Sequence, residues 1–163
     1  MKLAFALFKY FPYGGLQRDC IKIAQECVRR GHQVDLFCQE WIGPKLEGIK
    51  TEVFRINAWS NYRRYELFSE RVRKRVCNSD YSGLIGFNRM KGLDFYFGAD
   101  PCFALKLNNR FYLHRFLPRS RSFLRAEETV YGAQSKTQIL LLSDIELNQI
   151  RQIYNTPLSR FHL

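Results

Sequence analysis

The sequence has no CxxC pair, no GxGxxG fingerprint and no long apolar run, and each absence removes a class of protein. Its five cysteines, Cys20, Cys27, Cys38, Cys77 and Cys102, are odd in number and scattered. That pattern argues against a disulfide framework, and without a tight cluster of Cys and His no zinc site is expected. Cys20, Cys27 and Cys38 fall on apolar faces of predicted elements, and the cysteines are read as reduced, buried small hydrophobes. The longest apolar runs, LAFALF and ILLL, fall far short of the ~20 residues that a spanning helix needs. Lys9 breaks the first of them and no small-residue cleavage site follows, which argues against a signal peptide and for a cytoplasmic chain. Without GxGxxG a nicotinamide dehydrogenase is disfavoured. Acidic residues are also scarce: 15 Asp and Glu stand against 26 Lys and Arg, for a net charge of +11.

That excess of positive charge implies an anionic partner, whether nucleic acid, an anionic membrane face or a phosphorylated substrate. The 163 residues, 46% hydrophobic and 15% aromatic, suffice for one folded domain with a real core.

The apolar pattern alternates between strand and helix. Lys2 to Phe8 reads as a strand covered on both faces, Gly15 to Arg30 as a helix with an apolar stripe, and Gln33 to Cys38 as the next strand. Gly31 supplies the helix stop. A strand over Thr51 to Ile56 and a basic helix over Arg64 to Asn78 follow, then short strands at Gly83 to Phe87 and Phe95 to Gly98. Residues 102–131 read as mostly helical, interrupted near Pro118. Gln138 to Leu142 is a buried strand, Asp144 to Tyr154 a helix capped by Ser143 or Asp144, and Phe161 starts a last strand. The fold class is α/β, a doubly wound and mainly parallel sheet. A chain that ends inside a strand reads as a piece of something larger.

In such sheets ligands bind at the carboxyl ends of the strands. Three loops lie there: PYGGLQRD, NRMKG and ADPCF. Gly14 and Gly15 let the backbone approach a ligand, and the following helix points its free N–H groups at the same place, which suits a diphosphate or a sugar hydroxyl. A tight turn alone would equally account for the pair. Asp19 and Asp100 are placed to accept hydrogen bonds from sugar hydroxyls, or to serve as a helix-dipole partner and a turn residue.

The segment NNRFYLHRFLPRSRSFLR interleaves Arg110, Arg115, Arg119, Arg121 and Arg125 with Phe111, Tyr112, Phe116 and other apolar residues. This is the composition of a surface that lies on anionic lipid. A covering helix with solvated arginines and a nucleic-acid site are the other readings, and no nucleic-acid signature accompanies the charge. Arg63, Arg64, Arg71, Arg73, Lys74 and Arg75 form a second basic cluster, read as a solvated helix face.

FKYFPYGGLQRD, RRGHQVDLF and IGFNRMKGLDFYFGADPCFA together resemble the N-terminal half of the lipopolysaccharide core glucosyltransferase I family, retaining transferases of the GT-B fold. The resemblance runs over nearly all of the chain, with GGLQRD and GFNRMKGLDFYFGAD as its specific parts. It implies that residues 1–163 form a Rossmann-like, acceptor-binding domain, followed in the family by a donor-binding domain. It implies UDP-glucose as donor substrate, a heptose of the inner lipopolysaccharide core as acceptor, and no cofactor or metal. Gly14, Gly15, Arg18, Asp19, Asn88 and Lys91 are then expected to bind substrate, and Asp100 to position it in the catalytic site, with no protein nucleophile. The protein is expected at the cytoplasmic face of the inner membrane, held peripherally. Since the family's donor-side Lys, Arg and Glu would follow Leu163, the chain alone is expected to fold without turning over. A GT-B transferase for another sugar, or a non-catalytic module binding anionic membrane or nucleic acid, are the alternatives.

Overall fold

The computed structural model describes residues 1–108 and 116–163. The main strands are β1 (Lys2–Ala6), β3 (Gln33–Cys38), β5 (Ile49–Val53), β6 (Gly83–Gly86), β7 (Phe95–Gly98), β8 (Gln138–Leu141) and β9 (Phe161–His162), with a short pair β2 (Lys9–Tyr10) and β4 (Glu40–Trp41). The helices are α1 (Gly15–Arg29), α2 (Asn61–Cys77), α3 (Phe103–Asn108), α4 (Pro118–Tyr131) and α5 (Asp144–Tyr154). All seven main strands pair in parallel in the order β5-β3-β1-β6-β7-β8-β9. Chain order reverses between β1 and β6, and this is the switch point at which a Rossmann-like sheet opens a crevice.

The alternation of side chains along β1 divides the core in two. Phe5 and Leu7 point to the cluster built with Cys20, Ile21 and Ala24 of α1. Ala4 and Ala6 point to the other face, where Phe68 and Val72 of α2, Val130 and Tyr131 of α4, and Leu147 and Ile150 of α5 close the larger cluster. Small alanines there leave room for aromatic side chains. Phe68, fully buried, meets Phe8 edge-on at 5.7 Å and Phe54 at 6.1 Å.

Several boundaries differ from the sequence pattern. β5 lies two residues earlier than expected, because buried Ile49 pairs with Val34 and sets the register. α2 starts at Asn61, where Ser60 accepts a hydrogen bond from the Arg63 amide, ahead of the apolar periodicity. Pro118 opens α4 at a position where its missing N–H costs nothing, and Ser143 caps α5 through the Ile145 amide. The β2–β4 pair was not expected. It extends β1 and β3 past the sheet edge and is clamped by stacking of Tyr10 on Trp41, centroids 3.9 Å apart. Cys20, Cys38 and Cys102 are buried and Cys27 is half-buried, whereas Cys77 at the end of α2 is exposed, a correction to the reading of all five as buried.

Burial pushes the Cys38 thiol up to about 12, and burial together with the nearby Cys38 pushes Cys20 higher still. In a thiol-reagent titration at pH 8, Cys77 is expected to react first, with Cys20 and Cys38 silent until denaturant is added. Phe68→Ala is expected to lower stability by about 3–5 kcal/mol, read as a lower urea midpoint at unchanged slope.

Candidate functional site

The loops after β1, β6 and β7 come from three adjacent strands, so the topology gathers PYGGLQRD, NRMKG and ADPCF at one edge of the sheet. The first two flank the switch point and are tied across it: the Phe8 amide donates to Asn88 Oδ1 at 2.8 Å. Phe8 itself stacks face to face on Tyr65 of α2, centroids 4.1 Å apart. Asn88 is thus engaged with the backbone as well as standing at the crevice.

Gly14 and Gly15 begin α1, and their surroundings differ. Gln17 lies across Gly14 while its amide bonds the Lys9 carbonyl at 3.1 Å, and a Cβ on Gly14 would fall 1.8 Å from Gln17 Oε1. Packing against Gln17 and the Phe11 ring therefore contributes to the choice of glycine at position 14. Gly15 has nothing within 4 Å of where its Cβ would lie, and its φ is not positive. No local geometry demands glycine there, whereas a ligand lying against the backbone would. No side chain caps the N-terminus of α1 and its first turn holds no acid, so its leading N–H groups face outward uncompensated. Arg18 is exposed and Asp19 half-buried on the following residues.

Asp100 is exposed on the loop after β7. The loop is set by a buried network that sequence reasoning did not single out. Arg89 donates to the Pro101 carbonyl at 3.1 Å and to Glu127 Oε1 at 2.6 Å. Glu127, fully buried on α4, also accepts from the amides of Phe103 and Ala104, from the Tyr154 hydroxyl at 2.8 Å and from the Cys102 thiol. Burial, reinforced by the Glu127 charge, pushes the Tyr154 phenol well up, so it stays protonated and donating. One carboxylate thereby holds the residues that follow Asp100: Pro101 through Arg89, and Cys102, Phe103 and Ala104 directly. Nothing in the AEET stretch marks Glu127 as buried, because its partners come from distant parts of the chain.

A second cluster lies over the β2–β4 pair. Glu40 accepts from Lys9 and from Arg64, each at 2.9 Å, and these two bonds hold its carboxyl below the usual range. Gln39, beside it, is buried with neither amide atom partnered. The basic face of α2 is only partly solvated: Arg63 pairs with Glu66, Arg75 reaches Glu52, and Arg71 lies over the Phe54 ring.

Lys91 is exposed at the mouth of a cavity of about 590 Å³ between α2, α4 and the loop after β6. Of the basic–aromatic segment, Arg110, Phe111, Tyr112 and Arg115 lie outside the described residues. Phe116 and Leu117 are exposed beside exposed Arg119, Arg121 and Arg125. Phe123 turns inward onto Phe103, centroids 5.3 Å apart, and Leu124 packs on the core. Among the described residues no group of three His, Cys, Asp or Glu could hold a metal ion, and no helix is long and apolar enough to cross a membrane.

Glu127→Ala is expected to cost about 3–5 kcal/mol, because it strands the buried Arg89 charge, and Arg89→Met in the same chain should restore part of that loss in urea unfolding. Asn88→Ala, which leaves the Phe8 amide without its acceptor, is expected to cost about 1–3 kcal/mol by the same measurement.

No protein-family model matches the chain. A curated relative, the lipopolysaccharide glucosyltransferase WaaG of Escherichia coli (strain K12), is 32% identical over 164 residues, covering all of this chain and 44% of its own length. A crystal structure of WaaG, described as a glycosyltransferase involved in lipopolysaccharide biosynthesis, superposes with a TM-score of 0.95 at 32% identity over 98% of this chain and 44% of that one. The chain spans under half the length of the relatives it matches, and it is over its whole length a homologue of the lipopolysaccharide glucosyltransferase WaaG.

Proposed function

We propose that this chain is the acceptor-side domain of a retaining glycosyltransferase that moves glucose from UDP-glucose to a heptose of the lipopolysaccharide inner core. The observation that carries the reading is Gly15. It is a glycine that no local geometry requires, at the uncapped start of a 15-residue helix, beside the switch point of a sheet homologous to a glucosyltransferase. A diphosphate or a sugar lying against that backbone takes the unpaired N–H groups and the positive end of the helix.

Each residue has a role in this reading. Gly14 and Gly15 give the donor diphosphate and the transferred sugar access to the backbone, with Arg18 supplying positive charge nearby. Asp19 and Asp100 accept hydrogen bonds from sugar hydroxyls, and Asp100 holds the acceptor. Asn88 and Lys91 line the acceptor side. The bond from the anomeric carbon to the phosphate oxygen breaks as the bond to the acceptor oxygen forms on the same face. The acceptor proton passes to the departing phosphate, so no protein nucleophile and no resident cofactor is needed. Exposed Phe116 and Leu117 among Arg119, Arg121 and Arg125 support a peripheral seat on anionic lipid at the cytoplasmic face of the inner membrane, where the acceptor is anchored.

Joined to a donor-binding domain, this chain is expected to transfer label from UDP-glucose to lipopolysaccharide cut back to its heptoses. Asp100→Asn should lower kcat by about tenfold or more. Transfer from a different nucleotide sugar would overturn the donor assignment, and no transfer from any nucleotide sugar would overturn the enzymatic reading. The 163-residue chain alone should bind anionic vesicles and not zwitterionic ones, more weakly in high salt. Replacing Arg115, Arg119 and Arg121 with Glu should abolish that binding, and unchanged binding would remove the membrane assignment.

A further inference from the structure

Between Gly98, the last residue of β7, and Phe103, the first of α3, the chain has a short span with Asp100 near its middle. Both ends of that span are held. Gly98 pairs with Leu141 of β8, and the Ala99 amide donates to the Phe97 carbonyl at 3.2 Å. At the other end the two oxygens of Glu127 are surrounded by donors: Arg89, the Cys102 thiol, the amides of Phe103 and Ala104, and the Tyr154 hydroxyl. Arg89 uses the same nitrogen, Nη1, for Glu127 and for the Pro101 carbonyl. Pro101 in turn disfavours the helical region for the backbone of Asp100.

Asp100 itself stands outside this network. Its side chain is exposed and, among the described residues, accepts no hydrogen bond. The backbone is fixed while the carboxyl is left open, which is the arrangement of a group held for a ligand and not for the fold. The network is also a costly way to fill space. Burying a carboxyl and a guanidinium loses their hydration, and apolar side chains of similar volume commonly serve stability as well or better. What apolar side chains lack is an acceptor for the amides that begin α3 and a donor for the Pro101 carbonyl. α3 has six residues, too few to persist as a helix alone, and its first N–H groups find their acceptor on α4.

We infer that Glu127 is a positioning residue, acting through Arg89 and the start of α3 to set the Asp100 carboxyl where it meets the sugar. The inference rests on the glycosyltransferase reading, in which Asp100 holds the acceptor, and adds the group that holds Asp100.

The test compares variants of the chain joined to a donor-binding domain, by kcat for label transfer from UDP-glucose and by urea unfolding. Glu127→Gln keeps the volume, but its NH2 group faces donors at either oxygen position. Arg89→Met/Glu127→Met keeps the core filled without the polar pair, and is expected to fold with a urea midpoint near that of the parent. Leu36→Ala, a core loss on the α1 face, is the stability control. Both Glu127 variants are expected to lower kcat about tenfold, and adding Asp100→Asn to either should lower it no further. Leu36→Ala should keep the parent kcat at a lower midpoint. Should Glu127→Gln fail to fold, the Met variant decides. Parent-like kcat in that variant would overturn the inference, and so would a further full loss on adding Asp100→Asn, since the two residues would then act independently. Either result leaves the transferase reading intact. No transfer by the parent from any nucleotide sugar would remove that reading, and the hold on Asp100 would then be read in the 163-residue chain. There the backbone order parameters of Ala99 and Asp100 should fall below about 0.6 in the Met variant, and values staying near about 0.85 would overturn the hold.

Discussion

A single buried carboxylate organises one side of this molecule. Glu127 is fully enclosed, a position that is tolerable for a carboxyl group only if its oxygens find donors. Its donors come from the loop after β6, from the first turn of α3 and from α5. The constraint runs both ways. The acid can be buried only where those pieces converge, and they converge in one arrangement because the acid is there. The loop that carries Asp100 is fixed through the residues that follow it, a defined placement for an exposed side chain.

The same edge of the sheet is used on its two faces in different ways. On the α1 side the backbone itself is presented, with a glycine that leaves open space and a helix end without a cap. On the α2 and α4 side, side chains do the work, aromatic below and charged around. The bond from the Phe8 amide to Asn88 ties the two adjacent loops at this edge together.

The sheet was legible in the sequence because its strands are short apolar runs that must be buried on both faces, as in FYFG and QILL. The helices α1 and α5 were legible from their apolar stripes and from Ser143. The early start of α2 was not, since Asn61 to Arg63 are polar and only the Ser60 cap announces them. The register of β5 was set by the pairing of Ile49 with Val34, a contact that no local pattern encodes. At the site, the glycines and the strand-end loops could be read from chain order. Glu127 could not, because burial of an acid depends on donors supplied by remote segments. The two-residue strands β2 and β4 are too short to carry any periodicity, and they exist because Tyr10 and Trp41 stack.

The last strand shows how a weak ladder is made to hold. β9 has two residues and could not stay in place on strand pairing alone. The residue before it, Arg160, is buried and donates to the carbonyls of Thr137 and Gly132 at 2.9 and 2.8 Å and to that of Val130. Two of these carbonyls lie where α4 ends, so the cation also meets the negative end of the helix. No carboxylate takes part. A surface ion pair weakens as ionic strength rises, but a cation seated among enclosed carbonyl dipoles has no counter-charge for salt to screen. The closing edge of the sheet is therefore pinned by an anchor that is indifferent to the ionic medium, in a chain that carries a net charge of +11.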